Sequence, residues 1–107
     1  MTQKQLNLKR AIESALMNYL QFMPEVVDVK DADISFSNLA DNKGEHIDYD
    51  ALENCCQGDY SGTIRVSVLD DDLKVPLSKV LRKSGSFRID LMTSEKQLIN
   101  VTIISCY

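Results

Sequence analysis

His46, Asp48, Asp50, Cys55 and Cys56 fall within eleven residues of one another, and in this 107-residue chain they are the side chains best suited to hold a metal or build a nucleophile. Thiolate and imidazole together suit zinc. The spacing does not. A zinc site places its cysteines two to four residues apart so that both sulfurs reach one ion, whereas adjacent cysteines on a helix diverge by about 100°. Free cysteine behaves as a small buried hydrophobe. Leu52, Cys55 and Cys56 share one face of a helix predicted there, so packing is the expectation and no metal is assigned. A cysteine nucleophile would need a base close by. His46, the one histidine of the chain, lies in a polar loop expected over Asp41 to Asp48, without a small-residue elbow or an oxyanion-hole sequence beside it.

The other acid-rich motifs read similarly. Asp41-Asn42-Lys43-Gly44-Glu45 resembles a calcium loop only loosely, because Lys43 stands where an oxygen ligand is needed. Asp70, Asp71 and Asp72 suit a solvated turn. The four glycines, Gly44, Gly58, Gly62 and Gly85, are too scattered to form a phosphate-cradling loop. Carboxylate pairs can be found anywhere among sixteen acids, so they point to no reaction. The expectation is a non-enzymatic chain with no catalytic residue, no cofactor and no metal.

What stands out is the distribution of charge. The net charge is −4, but residues 25 to 59 hold ten acids against two bases. Lys79, Arg82, Lys83 and Arg88 form a smaller basic cluster further on. Generic binding to nucleic-acid phosphate needs a clustered basic face, so direct contact with nucleic acid is not expected. An acidic surface instead complements a basic cleft, speeding association and rejecting wrong partners. Glu45, Asp48, Tyr49, Asp50, Glu53, Asp59 and Tyr60 are the candidate partner contacts, with the two tyrosines as apolar anchors inside a polar rim. The reading is a small non-catalytic binding protein. It would act as an inhibitor or immunity-type neutraliser of a protein partner with a basic surface, such as a nucleic-acid-processing enzyme or a toxin. The alternatives are a structural assembly subunit making homo-oligomeric contacts, and an enzyme built on His46, Cys55 and Cys56.

These residues must be carried by elements that the apolar spacing outlines. Leu8, Ile12, Ala15, Leu16, Tyr19, Leu20 and Met23 recur at helical intervals, and Pro24 ends the run, so a long amphipathic helix is expected over 6 to 23. Val26 to Leu39 is rich in β-branched and aromatic residues and reads as one strand, or two broken at Asp31. Asp50 and Glu53 have capping-box spacing, which predicts a short helix from Ala51 to Gln57 closed by Gly58. Ile64, Val66 and Val68 alternate with polar residues as in a half-buried strand. Pro76, the Leu77, Val80 and Leu81 stripe and Gly85 suggest another short helix. Phe87, Ile89 and Leu91, a polar turn over 93 to 97, and the β-rich run from Leu98 to Cys106 form a hairpin.

The expected fold is therefore a single α+β domain over residues 1 to 107. It is a mainly antiparallel sheet of about four strands, with the N-terminal helix on one face and one or two short helices in the connections. Composition agrees: 44% of residues are hydrophobic and 26% charged, as in ordinary globular proteins. No apolar run approaches the length of a membrane span, and no secretory signal is visible. Three cysteines, two of them adjacent, make a poor disulfide framework, so a reducing, cytoplasmic setting is expected.

Overall fold

A chain whose apolar residues first recur every fourth position and then switch to alternation must pack one helix against a sheet, and the computed structural model has this form. It describes residues 3–41, 43–47, 56–69, 72, 74–92 and 99–107, apart from the side chains of Lys4, Leu91 and Met92. Helix α1 spans Gln3–Gln21, followed by strands β1 (Val26–Ala40), β2 (Gln57–Leu69), β3 (Pro76–Met92) and β4 (Ile99–Ile103). The strands form one antiparallel sheet in the order β1-β2-β3-β4. No helix among the described residues is long and apolar enough to cross a membrane.

Leu8, Ile12, Leu16 and Leu20 are fully buried at four-residue intervals along α1. They meet a sheet face built from Val26, Val29, Ile34, Leu39, Tyr60, Ile64, Val66, Phe87, Ile89 and Ile99. The helix contacts β1 and β4, the two edge strands, so the sheet curls around it. Tyr19, expected on the buried stripe, is 47% exposed. The helix ends at Gln21 with a turn in which the Met23 N–H donates to the Leu20 carbonyl, just ahead of Pro24.

Strand β1 is continuous through Asp31, and its odd apolar spacing has a structural cause. Val26, Val29 and Ala32 lie three residues apart, which strict alternation would send to opposite faces. Each three-residue step is absorbed by a register shift against β2, between Val26 and Asp28 and between Val29 and Asp31. A bulge of this kind adds one residue and keeps the next apolar side chain facing inward. The same happens between Phe36 and Leu39, where Asn38 takes a left-handed backbone (φ 55) and the register shifts again. Asparagine tolerates that conformation better than most residues.

The short helix expected at Pro76 is not formed. Residues 76 to 88 pair with β2 in an unbroken ladder from Leu69↔Pro76 to Gln57↔Arg88. About two and a half turns of helix have little stability alone, because nucleation is costly. Pro76 fits as the first residue of a strand, where a missing N–H is tolerated. Gly85, expected as a helix stop, lies inside β3 because a backbone passes over it: a Cβ there would sit 2.0 Å from the Ser105 carbonyl oxygen. Of the other short helix, residues 51 to 55 lie outside the described residues. Gln57 and Gly58 belong to β2 rather than to a helix end.

The central strands are long, and the molecule measures 50 × 26 × 21 Å. Residues 76 to 80 are exposed on both faces, so the start of β3 lies outside the core, although its β2 partners Val66 and Val68 pack in it.

Candidate binding surface

With α1 covering one face, the other face of the sheet is open, and strand register decides what lies across it. Side chains alternate along a strand, so partners of exposed residues form rows on the same face. The rows run Asp28–Ser67–Ser78, in which Ser67 is buried, then Asp31–Arg65–Val80, Asp33–Thr63–Arg82, Ser35–Ser61–Ser84 and Ser37–Asp59–Ser86. Asp28, Asp31 and Asp33 therefore line the β1 margin, hydroxyls fill much of the centre and of β3, and Arg65 and Arg82 are the bases in these rows. Arg65 joins Asp31 at 3.0 Å, with both side chains more than half exposed. Such a pair is screened by solvent and contributes little to stability.

The β1 margin is reinforced from the helix. The Glu13 carboxylate accepts from the Ile34 N–H at 3.0 Å, so an outward-facing amide of this edge strand is covered. Lys9 bridges Glu13 at 2.5 Å and Asp33 at 3.0 Å. Its ammonium is held above the ordinary lysine value, chiefly by the Glu13 hydrogen bond, with Asp33 adding and burial opposing. An open groove of about 680 Å3 runs beside this cluster between the start of α1 and β1. Its charged residues, Lys9 and Asp33, are already paired with each other.

At the far end of β1 the chain turns back on itself. The Asp41 carboxylate accepts from the N–H groups of Lys43 and Glu45, both at 2.9 Å, and the Gly44 N–H donates to the Asp41 carbonyl. Gly44 adopts φ +83, which suits a residue without a Cβ. The carboxylate that a calcium loop would offer to metal is thus engaged by the turn's own amides. His46 forms a bridge with Ala40, and both it and Glu45 are exposed.

The candidate contact residues separate in the structure. Glu45 lies on this turn, and Asp59 lies on the open face, where it accepts from Asn38 Nδ2 at 2.9 Å and Ser86 Oγ at 3.2 Å. Asp48, Tyr49, Asp50 and Glu53 lie outside the described residues. Tyr60 is corrected: it is 2% exposed and belongs to the core, so it offers no ring to a partner. It shares the parity of Ile64 and Val66 along β2, a signal already present in the alternation. The acids Asp28, Asp31 and Asp33 were absent from the candidate set, because only strand register aligns them. Of the cysteines, Cys56 is a buried member of the core, ahead of β2 rather than in a helix, and Cys106 is half-buried; neither is in a disulfide among the described residues.

Tyr60 also holds the C-terminal segment. Its hydroxyl donates to the Ser105 carbonyl at 2.7 Å. Burial pushes its ionisation well above the ordinary phenol value, and the neighbouring Cys106 side chain adds to the shift. The folded chain thus keeps a proton that the unfolded chain releases near pH 10, so stability present below that pH falls as pH rises further. An ultraviolet titration should find at least one of the four tyrosines resisting ionisation until the chain unfolds. Tyr60→Phe should remove that resistance and destabilise the fold by about 1–2 kcal/mol, through loss of a bond to a partly buried carbonyl.

At the opposite corner, Thr102 Oγ1 donates to Asp90, and Arg88 Nε donates to the same carboxylate at 2.9 Å. Asp90 is held below the usual carboxylate range, the Thr102 bond being the larger cause. Compared with protein-family models, curated proteins and solved structures, the chain finds no match.

Proposed function

We propose that this chain is a non-catalytic binding protein that inhibits or neutralises a protein partner with a basic surface. The reading rests on one observation: Asp28, Asp31 and Asp33 stand exposed along one margin of an open, hydroxyl-rich sheet face. Glu45 and Asp59 extend the acidic character toward the other end of β1, and Asp48, Asp50 and Glu53 belong to the same acidic stretch of sequence. Short serine and threonine side chains lose little conformational freedom when covered, which makes the centre of this face suitable for docking. The charged margin would steer approach and reject acidic competitors.

The test is charge reversal. Asp28→Lys, Asp31→Lys and Asp33→Lys together should slow association with a partner captured from the native host several-fold or more, and added salt should weaken the wild-type complex. Separate reversal of Glu45 and Asp59 reports how far the contact extends. Exposed charges of this kind shift folding by only about 0.5 kcal/mol, so circular dichroism and denaturant midpoints should change little. Unchanged association and salt response would retire the acidic-surface reading.

A further inference from the structure

The two edges of this sheet are treated differently by the fold. The β1 edge is bulged and capped by Glu13, whereas among the described residues β3 has no neighbouring strand on its β4 side along part of its length. On the β4 side, the Ser86 carbonyl accepts from the Ile104 and Ser105 N–H groups, the Ser86 N–H donates to Ser105 Oγ at 3.0 Å, and the Ser84 carbonyl accepts from the Tyr107 N–H at 2.8 Å. Even-numbered residues of β3 therefore direct their backbone groups toward β4. Consistently, the odd-numbered Ile89 donates its N–H to Cys56 on the β2 side at 2.8 Å. The β2–β3 register runs without a shift down to Pro76, so Ser78, Val80 and Arg82 point their N–H and C=O groups the same way. Among the described residues, no strand pairs with β3 there. A row of unpaired amides and carbonyls of this kind is a template for another strand.

Side chains along the same stretch specify the chemistry of an added strand. Leu77 is 42% exposed and Val80 63% exposed, one on each face of the strand. Residues 74 to 89 contain five bases, Lys74, Lys79, Arg82, Lys83 and Arg88, and no acid. A second copy's same edge would bring these bases against their own kind, which is destabilising for charges in facing or neighbouring positions. A second copy's β1 is a poor donor because its bulges and the Glu13 cap interrupt its backbone row.

We propose that the β3 edge from Pro76 to Lys83 is a docking site for an extended acidic segment of another protein, which adds to the sheet as a fifth strand. Main-chain hydrogen bonds to Ser78, Val80 and Arg82 supply the attachment, Val80 covers apolar side chains on one face of the incoming strand, and Lys79 and Lys83 select its carboxylates on the other. This surface lies at the opposite margin from the β1 acids and does not depend on them.

The probe is a synthetic peptide of about nine residues alternating glutamate with valine and threonine, long enough to span the edge. It is compared with the same peptide carrying lysine for glutamate. Amide NMR of the full chain should show shifts centred on 77 to 84 with the glutamate peptide and little response to the lysine peptide. Val80→Pro removes an outward N–H without touching the β2 ladder and should weaken binding at least about tenfold. Lys79→Glu with Lys83→Glu leaves the backbone intact and should exchange the preference, so that the lysine peptide is bound. No saturable shift at millimolar glutamate peptide, shifts confined to β1, or equal response to both peptides would overturn the proposal. So would self-association seen by light scattering and abolished by Val80→Pro, since it would identify a second copy as the occupant.

Discussion

Gly85→Ala is expected to destabilise the fold by about 3 kcal/mol, the upper part of the usual range for overpacking. The new Cβ would lie 2.0 Å from the Ser105 carbonyl oxygen, 2.6 Å from its carbon and 3.0 Å from the Tyr60 hydroxyl. Two of those three atoms are backbone, which cannot swing aside as a flexible side chain would. To make room, the 104 to 107 segment must lift from β3. That movement weakens the Ser86 and Ser84 contacts with the C-terminal segment and the Tyr60–Ser105 bond together. Two measurements should therefore move in concert: the urea midpoint falls, and Tyr60 ionises at a lower pH than in the wild type. Ser84→Ala, at an exposed neighbouring position, serves as the control and should stay within about 0.5 kcal/mol. A Gly85→Ala midpoint equal to the control's would mean that the C-terminal segment does not lie over β3 as described.

Leu16→Ala should be of similar or larger size, about 2–5 kcal/mol, because the side chain is fully buried and its removal leaves a cavity between helix and sheet. Leu20→Ala should fall in the same range. The informative comparison is Phe22→Ala. Phenylalanine is the larger hydrophobe, but Phe22 is 87% exposed just beyond the end of α1, so truncating it should change stability by no more than about 0.5 kcal/mol. Denaturant titrations of the three variants would separate burial from hydrophobicity as the cause. Equal losses at Leu16 and Phe22 would contradict the placement of the helix on the sheet.

The α1 stripe, the alternation in β2 and the β3–β4 hairpin were legible in the sequence because each is half-buried against the helix. Burial on one side imprints a period of about four on a helix and of two on a strand. Tyr60 was legible too, had parity been followed back from Ile64. The Pro76 to Leu81 stretch was misread for the complementary reason. Residues 76 to 80 are exposed on both faces, so nothing there enforces alternation, and the leucine and valine spacing, completed by the core-packed Leu81, matches a helical stripe by coincidence. The Asp50 and Glu53 spacing suggests a cap that lies outside the described residues, while Gln57 and Gly58, expected at the helix end, are held by pairing with Arg88 and Phe87. Long ladders of this kind override local helix preference.

The acidic and basic segments were visible as composition, and so was the α+β class. Their arrangement was not, because charge carries no period that names a neighbour. Whether Asp31 meets Arg65, or Asp33 shares a row with Thr63 and Arg82, depends on register, and a slip of one residue would turn each to the other face. That register is set by the three bulges in β1 and by Gly62, where an added Cβ would lie 2.3 Å from the Asp33 carbonyl oxygen. Local spacing thus determined which residues enter the core. Pairing between distant strands decided which of the remaining charges share a surface, since only backbone hydrogen bonding across the sheet brings residues 30 or more positions apart into one row.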